Sequence, residues 1–261
     1  MRAVSVHADA LVLTSRIWGT TATALRAGAE SMLVDSPYFP DELEALPGLL
    51  AQAGFEPDAL LATHGDFDHM LGRLAFPSLS MGAAESTLVR IRARPGEAQR
   101  ELRDQDDALY VRRPGPLTLG QLQSLPVPGH LELGGEELEL HPGEGHTDDG
   151  MVVFAPWLGA LCCGDYLSDV EIPTLSAQGS LADYRGTLAR LGALCERADV
   201  VVPGHGSPLA RERALGILDE DVAYLDALEG GEERPSLPPD RDTARQRALH
   251  AENLRCLGAK P

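Results

Sequence analysis

The first third of the chain alternates short apolar runs with turn residues. The runs "ADALVLTS", "TTATALRAG" and "ESMLVDSP" predict a meander of β-strands. The next stretch, "PDELEALPGLLAQAGF", spaces its leucines at helical intervals, although Pro47 is expected to break or offset that helix. "DALLATHGD" then predicts a buried strand that ends in a glycine-containing loop, and "HMLGRLAF" a helix start.

The segment from about Ala83 to Pro128 has a different character. It is highly charged, partly helical in pattern and interrupted by proline and glycine. Two interpretations follow. The segment is either a solvated helical excursion or a lid that shapes a substrate pocket, since functional residues tend to lie on loops carried by a rigid scaffold.

Strand and helix patterns alternate again in the second half. "HLELGGEELELHPG" predicts a hairpin around Gly134–Gly135, and "GMVVFAP", "GALCCGD" and "DVVVPGHG" predict buried strands. "SLADYRGTLARLGALCERA" and two later stretches have helical periodicity. With no repeat and no clear linker, we expect a single α/β domain over residues 1–261, with a helical or loop insertion at about 83–128.

Composition narrows the class of protein. The chain is 43% hydrophobic, which suffices for a sizeable core, and its formal charge of −18 disfavours nucleic acid as a partner. Its four cysteines lack a metal-binding or disulfide spacing, so we expect buried reduced thiols. The N-terminus lacks a signal-peptide pattern, and no apolar run is long enough for a membrane span. We expect a cytoplasmic protein without a membrane partner, and a homodimer is compatible with the sequence.

Histidine and aspartate residues follow four of the apolar runs. They lie in "LLATHGDFDH", "LHPGEGHTDD", "LCCGDYLS" and "VVVPGHGSP", next to small residues that let a side chain project from a strand end. In the first of these, four potential metal ligands occupy six positions. Burying adjacent carboxylates without cations is costly, so these loops predict a shared metal site.

The order of these motifs resembles that of the metallo-β-lactamase superfamily. The similarity covers nearly the whole chain, from "LVDSP" to "VVVPGHG". It implies a four-layer αββα sandwich, with the site along one edge between two sheets. The resemblance implies seven ligands for two divalent ions: His64, Asp66 and His146 for the first, Asp68, His69 and His205 for the second, and Asp165 as a bridge.

Asp66 departs from the family pattern. Hydrolases of this family most often have histidine there, and its diiron redox branch has glutamate. Aspartate is shorter, anionic and harder, which should shift the first site from Zn²⁺ towards Mn or Fe. Zinc remains the expected metal, with Mn or Fe as alternatives.

One implied ligand is expected to have a second role, and three further residues lie near the ligands. Asp68 is expected to orient the nucleophile as well as bind metal. Tyr166 is a tentative catalytic group that could polarise a substrate carbonyl, as a tyrosine does in the family's lactonases, or it is a packed core residue. Thr147 could support a ligand or cap a turn, and Trp18 could overhang the site or belong to the core. The remaining histidines are expected to be structural or exposed: His7, His130, His141 and His250.

The expected function is that of a dinuclear metal-dependent hydrolase. A metal-bound hydroxide would attack a small ester, lactone or thioester-like substrate. Two alternatives stay open at this stage. One is a diiron oxidoreductase of the same fold, prompted by the anionic ligand Asp66, and the other is a metal-binding scaffold without turnover.

Overall fold

Two β-sheets face each other across an apolar layer in the computed structural model, which describes residues 1–258. The first sheet has seven strands paired in chain order: β1 (Arg2–His7), β2 (Ala10–Thr14), β3 (Thr21–Ala27), β4 (Glu30–Asp35), β5 (Ala59–Leu61), β6 (Ser80–Ala84) and β7 (Leu122–Leu125). β1 to β4 form an antiparallel meander, whereas β4 to β7 pair in parallel.

The second sheet has six strands within the same part of the chain. Its members are β8 (Gly129–Leu133), β9 (Glu136–Pro142), β10 (Met151–Ala155), β11 (Ala160–Cys162), β12 (Val200–Val202) and β13 (Leu209–Ala210), in the order β13-β12-β11-β10-β9-β8. All pairs are antiparallel except β11 with β12. The β8–β9 hairpin turns at Gly134 and Gly135, as the sequence predicts.

Helices cover the outer faces of both sheets. They are α1 (Pro40–Gln52), α2 (Gly72–Ala75), α3 (Glu85–Ala93), α4 (Glu97–Ala108), α5 (Leu181–Cys195), α6 (Arg211–Glu229) and α7 (Ala244–Gly258). In addition, Phe67–His69 forms one turn of 3₁₀-helix. α1 and α3 pack on the first sheet, and α5 and α6 pack on the second.

Side chains alternate between the two faces of each strand, and this alternation accounts for the layers of the fold. In β10, Val153 faces the first sheet, whereas Val152 and Phe154 face the helices on the opposite side. In β4, Val34 likewise points between the sheets and Leu33 points towards α1. Successive side chains of a strand point to opposite faces, so strands buried on both sides are apolar throughout. The result is an αββα arrangement of four layers.

The structure corrects two local predictions. α1 continues through Pro47, because the buried leucines Leu43, Leu46 and Leu50 hold the helix despite the missing amide hydrogen. The segment 83–128 is also not purely helix and loop. It carries β7, whose sequence "LQSL" is too short and too polar to be recognised as a strand.

Two further properties of the chain concern its thiols and the length of its helices. All four cysteines are free thiols, and Cys162, Cys163 and Cys195 are buried. Among the helices of residues 1–258, we find none with both the length and the apolar character needed to cross a membrane. The final three residues of the expected domain lie outside the described part of the chain.

Two leucines of α1 test the packing of the outer layer. Leu46 is fully buried against the first sheet, whereas Leu49 is 37% exposed on the same helix. We expect Leu46→Ala to lower the free energy of unfolding by about 2–5 kcal/mol, because it leaves a cavity. The matched variant Leu49→Ala should change the free energy of unfolding by no more than about 0.5 kcal/mol. Urea unfolding of both variants measures the two effects. Equal effects at the two positions would contradict this packing.

Candidate metal centre

The seven implied ligands meet at one edge of the sandwich. His64 and Asp66 follow β5, and Asp68 and His69 belong to the 3₁₀ turn. The other three side chains lie in the loops after β9, β11 and β12: His146, Asp165 and His205. The cluster therefore draws on both sheets, and each ligand lies just beyond a strand that the core fixes in place.

Two groups of side chains can be distinguished by distance. In the first, Asp66 Oδ2 lies 3.5 Å from His64 Nε2 and 3.4 Å from His146 Nε2. In the second, Asp68 Oδ2 lies 3.5 Å from His205 Nε2, and Asp68 Oδ1 lies 3.9 Å from His69 Nε2. Each group offers two imidazole nitrogens and one carboxylate.

Asp165 lies between the two groups. Its Oδ1 is 3.1 Å from His69 Nε2, and its Oδ2 is 3.4 Å from both His146 and His205 and 3.7 Å from His64. A single carboxylate thus contacts imidazoles of both groups, which is the position of a bridging ligand. Gly204 permits this approach, because a Cβ there would overlap Asp165 Oδ1 and the His69 ring.

The donor set fits divalent cations. Three buried atoms of the cluster have no hydrogen-bond partner: His64 Nε2, His69 Nε2 and Asp165 Oδ1. Buried polar atoms without a partner are costly, and several of them converging on one point favour a cation. Within residues 1–258, three subsets of the cluster place their ligand atoms within 4.8 Å of one another. The individual ligand assignments nonetheless stay predictions.

The opposite ring nitrogens of the histidines are bound to the scaffold. Nδ1 of His69 lies 3.0 Å from Asp35 Oδ2, and Nδ1 of His146 lies 2.8 Å from the Thr174 carbonyl oxygen. Nδ1 of His205 contacts Thr20 Oγ1 at 3.4 Å. A partner on one nitrogen fixes the ring and leaves the other nitrogen as a metal donor.

Asp35 is a functional residue that the sequence analysis missed. It ends β4 with a positive φ of 58°, and its carboxylate accepts hydrogen bonds from the Thr63 amide and hydroxyl besides contacting His69. Its strained backbone is held by these contacts. The signal was present in "LVDSP", where an aspartate follows a buried strand as the ligands do.

Arg90 was missed as well. Its guanidinium contacts Asp66 Oδ1 at 2.7 Å and Asp149 Oδ1 at 2.8 Å, and the side chain is only 7% exposed. Arg90 belongs to α3, so part of the segment 83–128 lies beside the centre. Nothing in the sequence separates Arg90 from the other arginines of that mixed-charge stretch.

Charges within the cluster shift the acid–base behaviour of its members. Burial alone would raise the pKa of Asp66, but His64 and His146 hold it well below its ordinary value. Burial would also raise the pKa of Asp165, which His205, His69 and His64 lower strongly. Without metal, these carboxylates therefore favour protons on His69, His146 and His205, and divalent cations would displace those protons.

Tyr166 does not face the centre. Its hydroxyl donates to the Gly143 carbonyl at 3.0 Å and accepts from the His146 amide at 3.0 Å, and the side chain is buried. We therefore withdraw its tentative assignment as a catalytic group and describe it as packing that fixes the loop carrying His146. Thr147 likewise caps a turn, since its hydroxyl donates to the Asp149 carbonyl at 3.0 Å.

A cleft of about 340 Å³ opens above the cluster. Trp18 and Phe67 form one wall, and Trp18 thus belongs to the site, between β2 and β3. α7 forms the other wall, with residues spaced along one stripe: Arg245, Ala248, Leu249 and Glu252. Arg245 is paired with Glu171 at 2.6 Å.

A second stripe of α7 attaches this wall to the protein through buried polar side chains. Gln246 Oε1 accepts from the Ile172 amide at 2.9 Å. Asn253 accepts from the Leu175 amide at 2.9 Å and donates to the Pro173 carbonyl at 2.7 Å. These bonds enclose Thr174, whose carbonyl contacts His146. α7 therefore supports a ligand as well as the cleft.

The other histidines lie apart from the cluster. His250 is buried between Tyr224 and the Glu232 carbonyl. The remaining three pair with nearby acidic residues, away from the metal centre: His7, His130 and His141.

Comparison with known proteins agrees with this architecture. The model of the Metallo-beta-lactamase superfamily matches residues 16–205. A metallo-beta-lactamase family protein from Thermus thermophilus superposes with a TM-score of 0.67 at 23% identity, covering 98% of this chain and 96% of that one. A metallo-beta-lactamase from Pontibacter korlensis gives 0.61 at 18% identity, covering 84% and 98%.

A third similar structure is larger. The stereoselective inverting sec-alkylsulfatase Pisa1 from Pseudomonas sp. superposes with a TM-score of 0.74 at 15% identity. The match covers 99% of this chain but only 50% of the sulfatase. At these identities the structures establish the fold, and they confirm the predicted αββα sandwich.

Asp35 offers a test of how the second group is held. Asp35→Asn keeps the side chain's shape and suits the positive φ, but an amide accepts more weakly from His69. We expect zinc affinity to fall about 10–100-fold, measured by chelator competition, with little change in the circular dichroism spectrum. Unchanged affinity would show that Asp35 does not support His69.

The raised pKa values of two histidines predict that the thermal stability of the metal-free protein depends on pH. Burial alone would lower the pKa values of His146 and His205. A hydrogen bond to Asp66 and the charge of Asp165 instead raise the pKa of His146 from 6.5 to about 9. The charges of Asp165 and Glu171 likewise raise the pKa of His205 from 6.5 to about 9. A histidine with a raised pKa stabilises the fold fully below its unfolded pKa, and this contribution is lost as the pH rises through the folded pKa.

We therefore expect the Tm of chelator-treated protein to fall between about pH 6 and about pH 9.5. The Tm of the metal-loaded protein should fall less over the same pH range, because cations replace the protons. Differential scanning calorimetry of both forms checks this. A flat profile for the metal-free form would mean that these imidazoles are neutral without metal.

Proposed function

Because the chain belongs to the metallo-beta-lactamase superfamily, we propose that it is a hydrolase dependent on two divalent cations. Its substrate is a small ester, lactone or thioester-like molecule. The observation that carries this proposal is a cluster in which three buried atoms lack a hydrogen-bond partner and five of the seven side chains line an open cleft. A site of this kind combines cation binding with access for a small molecule.

The bound cations would supply a water of lowered pKa and polarise the scissile carbonyl. The protein's own groups position and shield the reaction. Asp68 is buried beside His205 in the second group, and its backbone carbonyl accepts from Ser36 Oγ at 3.1 Å, which fixes the turn that carries its carboxylate. In our proposal it orients the attacking water and accepts its proton.

The cleft favours a small, weakly charged substrate. Its walls include Trp18 and Leu249, which suit an apolar substituent beside the scissile bond. Among residues 1–258, Arg245 is the one arginine that lines it, and its pairing with Glu171 at 2.6 Å reduces its attraction for an anionic group. The acidic surface supports a small molecule over nucleic acid as the partner. Cytoplasmic location and a homodimer stay predictions of the sequence.

A second candidate follows from Asp66. An anionic ligand in the first group suits iron, and two irons would favour a diiron oxidoreductase. Metal analysis separates the two: iron with a visible charge-transfer band favours oxidoreduction, and zinc or manganese favours hydrolysis. A protein that binds metal but turns over no substrate would instead be a metal-binding scaffold.

Asp165 tests the hydrolytic proposal. We expect about two transition-metal ions per wild-type chain and no more than about one in Asp165→Ala, which loses the bridging carboxylate. Activity should fall at least about a hundredfold, since both cations act on the same water. The substrate panel comprises chromogenic carboxylic esters, lactones, thioesters and phosphodiesters, with β-lactams and sec-alkyl sulfates included because of the similar structures.

Asp219→Ala is the matched control, because Asp219 lies on α6, outside the cleft. It should retain wild-type metal content and rate. The proposal fails if reconstituted wild-type protein binds no metal, or if Asp165→Ala keeps full activity on the best substrate.

A further inference from the structure

We propose that Arg90 is a positioning residue that lets an aspartate serve as a metal ligand at position 66. It binds one carboxylate oxygen of Asp66, offsets its charge and leaves the other oxygen for the cation. This inference rests on the metal-binding part of the proposed function. It explains how the chain uses an anion where hydrolases of the family most often have a neutral imidazole.

The two oxygens of Asp66 have separate surroundings. Oδ1 lies 2.7 Å from Arg90 Nη2, whereas Oδ2 lies 3.4 Å from His146 Nε2 and 3.5 Å from His64 Nε2. Only Oδ2 belongs to the group of ligand atoms. A carboxylate whose Oδ1 is engaged by a guanidinium is thereby directed to bind a cation through Oδ2 alone.

Arg90 is itself held firmly. Its Nη1 donates to Asp149 Oδ1 at 2.8 Å, and Asp149 is fully buried. Asp149 Oδ2 accepts from the Gly65 amide at 2.8 Å and from Thr87 Oγ1 at 2.7 Å. The guanidinium therefore cannot swing away from Asp66 without leaving a buried carboxylate short of a partner.

The charge balance supports the same interpretation. Among residues 1–258, Arg90 is the only arginine that forms an ion pair with one of the seven implied ligands. Arg90 offsets part of the charge that Asp66 brings to the first group, since it also pairs with Asp149 at 2.8 Å and with Glu97 at 3.6 Å. With histidine at position 66, the same guanidinium would face an imidazole and lose the nearest of these three carboxylates.

The consequence concerns metal preference. An unpaired Asp66 could bind through both oxygens and donate its full charge, which favours a hard ion such as Mn²⁺ over Zn²⁺. We infer that Arg90 restrains this tendency. Its effect should therefore depend on the presence of aspartate at position 66.

A double-mutant cycle tests the dependence. The four proteins are wild type, Arg90→Gln, Asp66→His and the double variant, each loaded with Mn²⁺ or Zn²⁺ in competition. Arg90→Gln should raise the ratio of Mn²⁺ to Zn²⁺ affinity about tenfold in the wild-type background, within the range for loss of a ligand's partner. In the Asp66→His background, the same change should shift the ratio by less than about twofold. Equal shifts in both backgrounds, or none in the first, would overturn the proposal.

Thr87→Val is the matched control for Asp149. It removes one hydrogen bond to Asp149 but leaves the contact between Arg90 and Asp66 intact. We expect a lower Tm and an unchanged affinity ratio. A shift like that of Arg90→Gln would assign the effect to the Asp149 loop and overturn the role of Arg90.

Two measurements cover the case in which Arg90→Gln does not fold. Arg90→Lys keeps the positive charge but loses the guanidinium nitrogens that bind Asp66 and Asp149 at the same time, and it should give an intermediate affinity ratio. A wild-type ratio would show that the guanidinium geometry is not needed. A crystal structure of the zinc-loaded wild type should show Asp66 bound through Oδ2 alone, and bidentate binding would overturn the proposal. If the wild type binds no metal, the proposed function itself has failed.

Discussion

Repulsion among the carboxylates of one cluster is the constraint around which this protein is arranged. Asp66, Asp68 and Asp165 each contact imidazoles of the same cluster at the edge of the sandwich. Carboxylates gathered in this way are tolerated only where positive charge is supplied in the same place. The carboxylates raise the pKa values of His69, His146 and His205 and so favour protons there without metal, and divalent cations would supply the charge in the loaded protein. The fold must hold these groups together against their own repulsion.

The scaffold achieves this in part by giving several ligands two tasks. In three of them, one atom faces the centre while another is bonded to the frame: His69 to Asp35, His146 to the Thr174 carbonyl, and Asp66 to Arg90. The frame contacts come from β4, from the loop under α7 and from α3, so the geometry of the centre depends on distant parts of the chain. The cluster is consequently rigid even though it lies on loops.

Local patterns predicted the strands that hold the ligands, because runs such as "ALL" and "VVV" are buried on both faces and end at the metal loops. They did not predict β1 or β7, whose polar, exposed sequences depend on pairing with a neighbour. The ligand motif was readable because its spacing is short. Arg90 and Asn253 were not, because their contacts join residues separated by 24 and 78 or more positions. Of the two interpretations left open for Tyr166, the contacts of its hydroxyl agree with the packed residue, because sequence proximity to Asp165 does not fix the direction of a side chain.

The two stripes of α7 suggest how substrate range could diverge during evolution. Gln246, His250 and Asn253 anchor the helix through polar contacts, whereas the neighbouring stripe that starts at Arg245 faces the cleft. Because the stripes are offset by about one residue, substitutions on the cleft-facing stripe can reshape the pocket without disturbing the anchors or the apolar core. Changes along a single helix face can therefore alter which molecules the cleft admits while the cluster of histidines and aspartates stays in place.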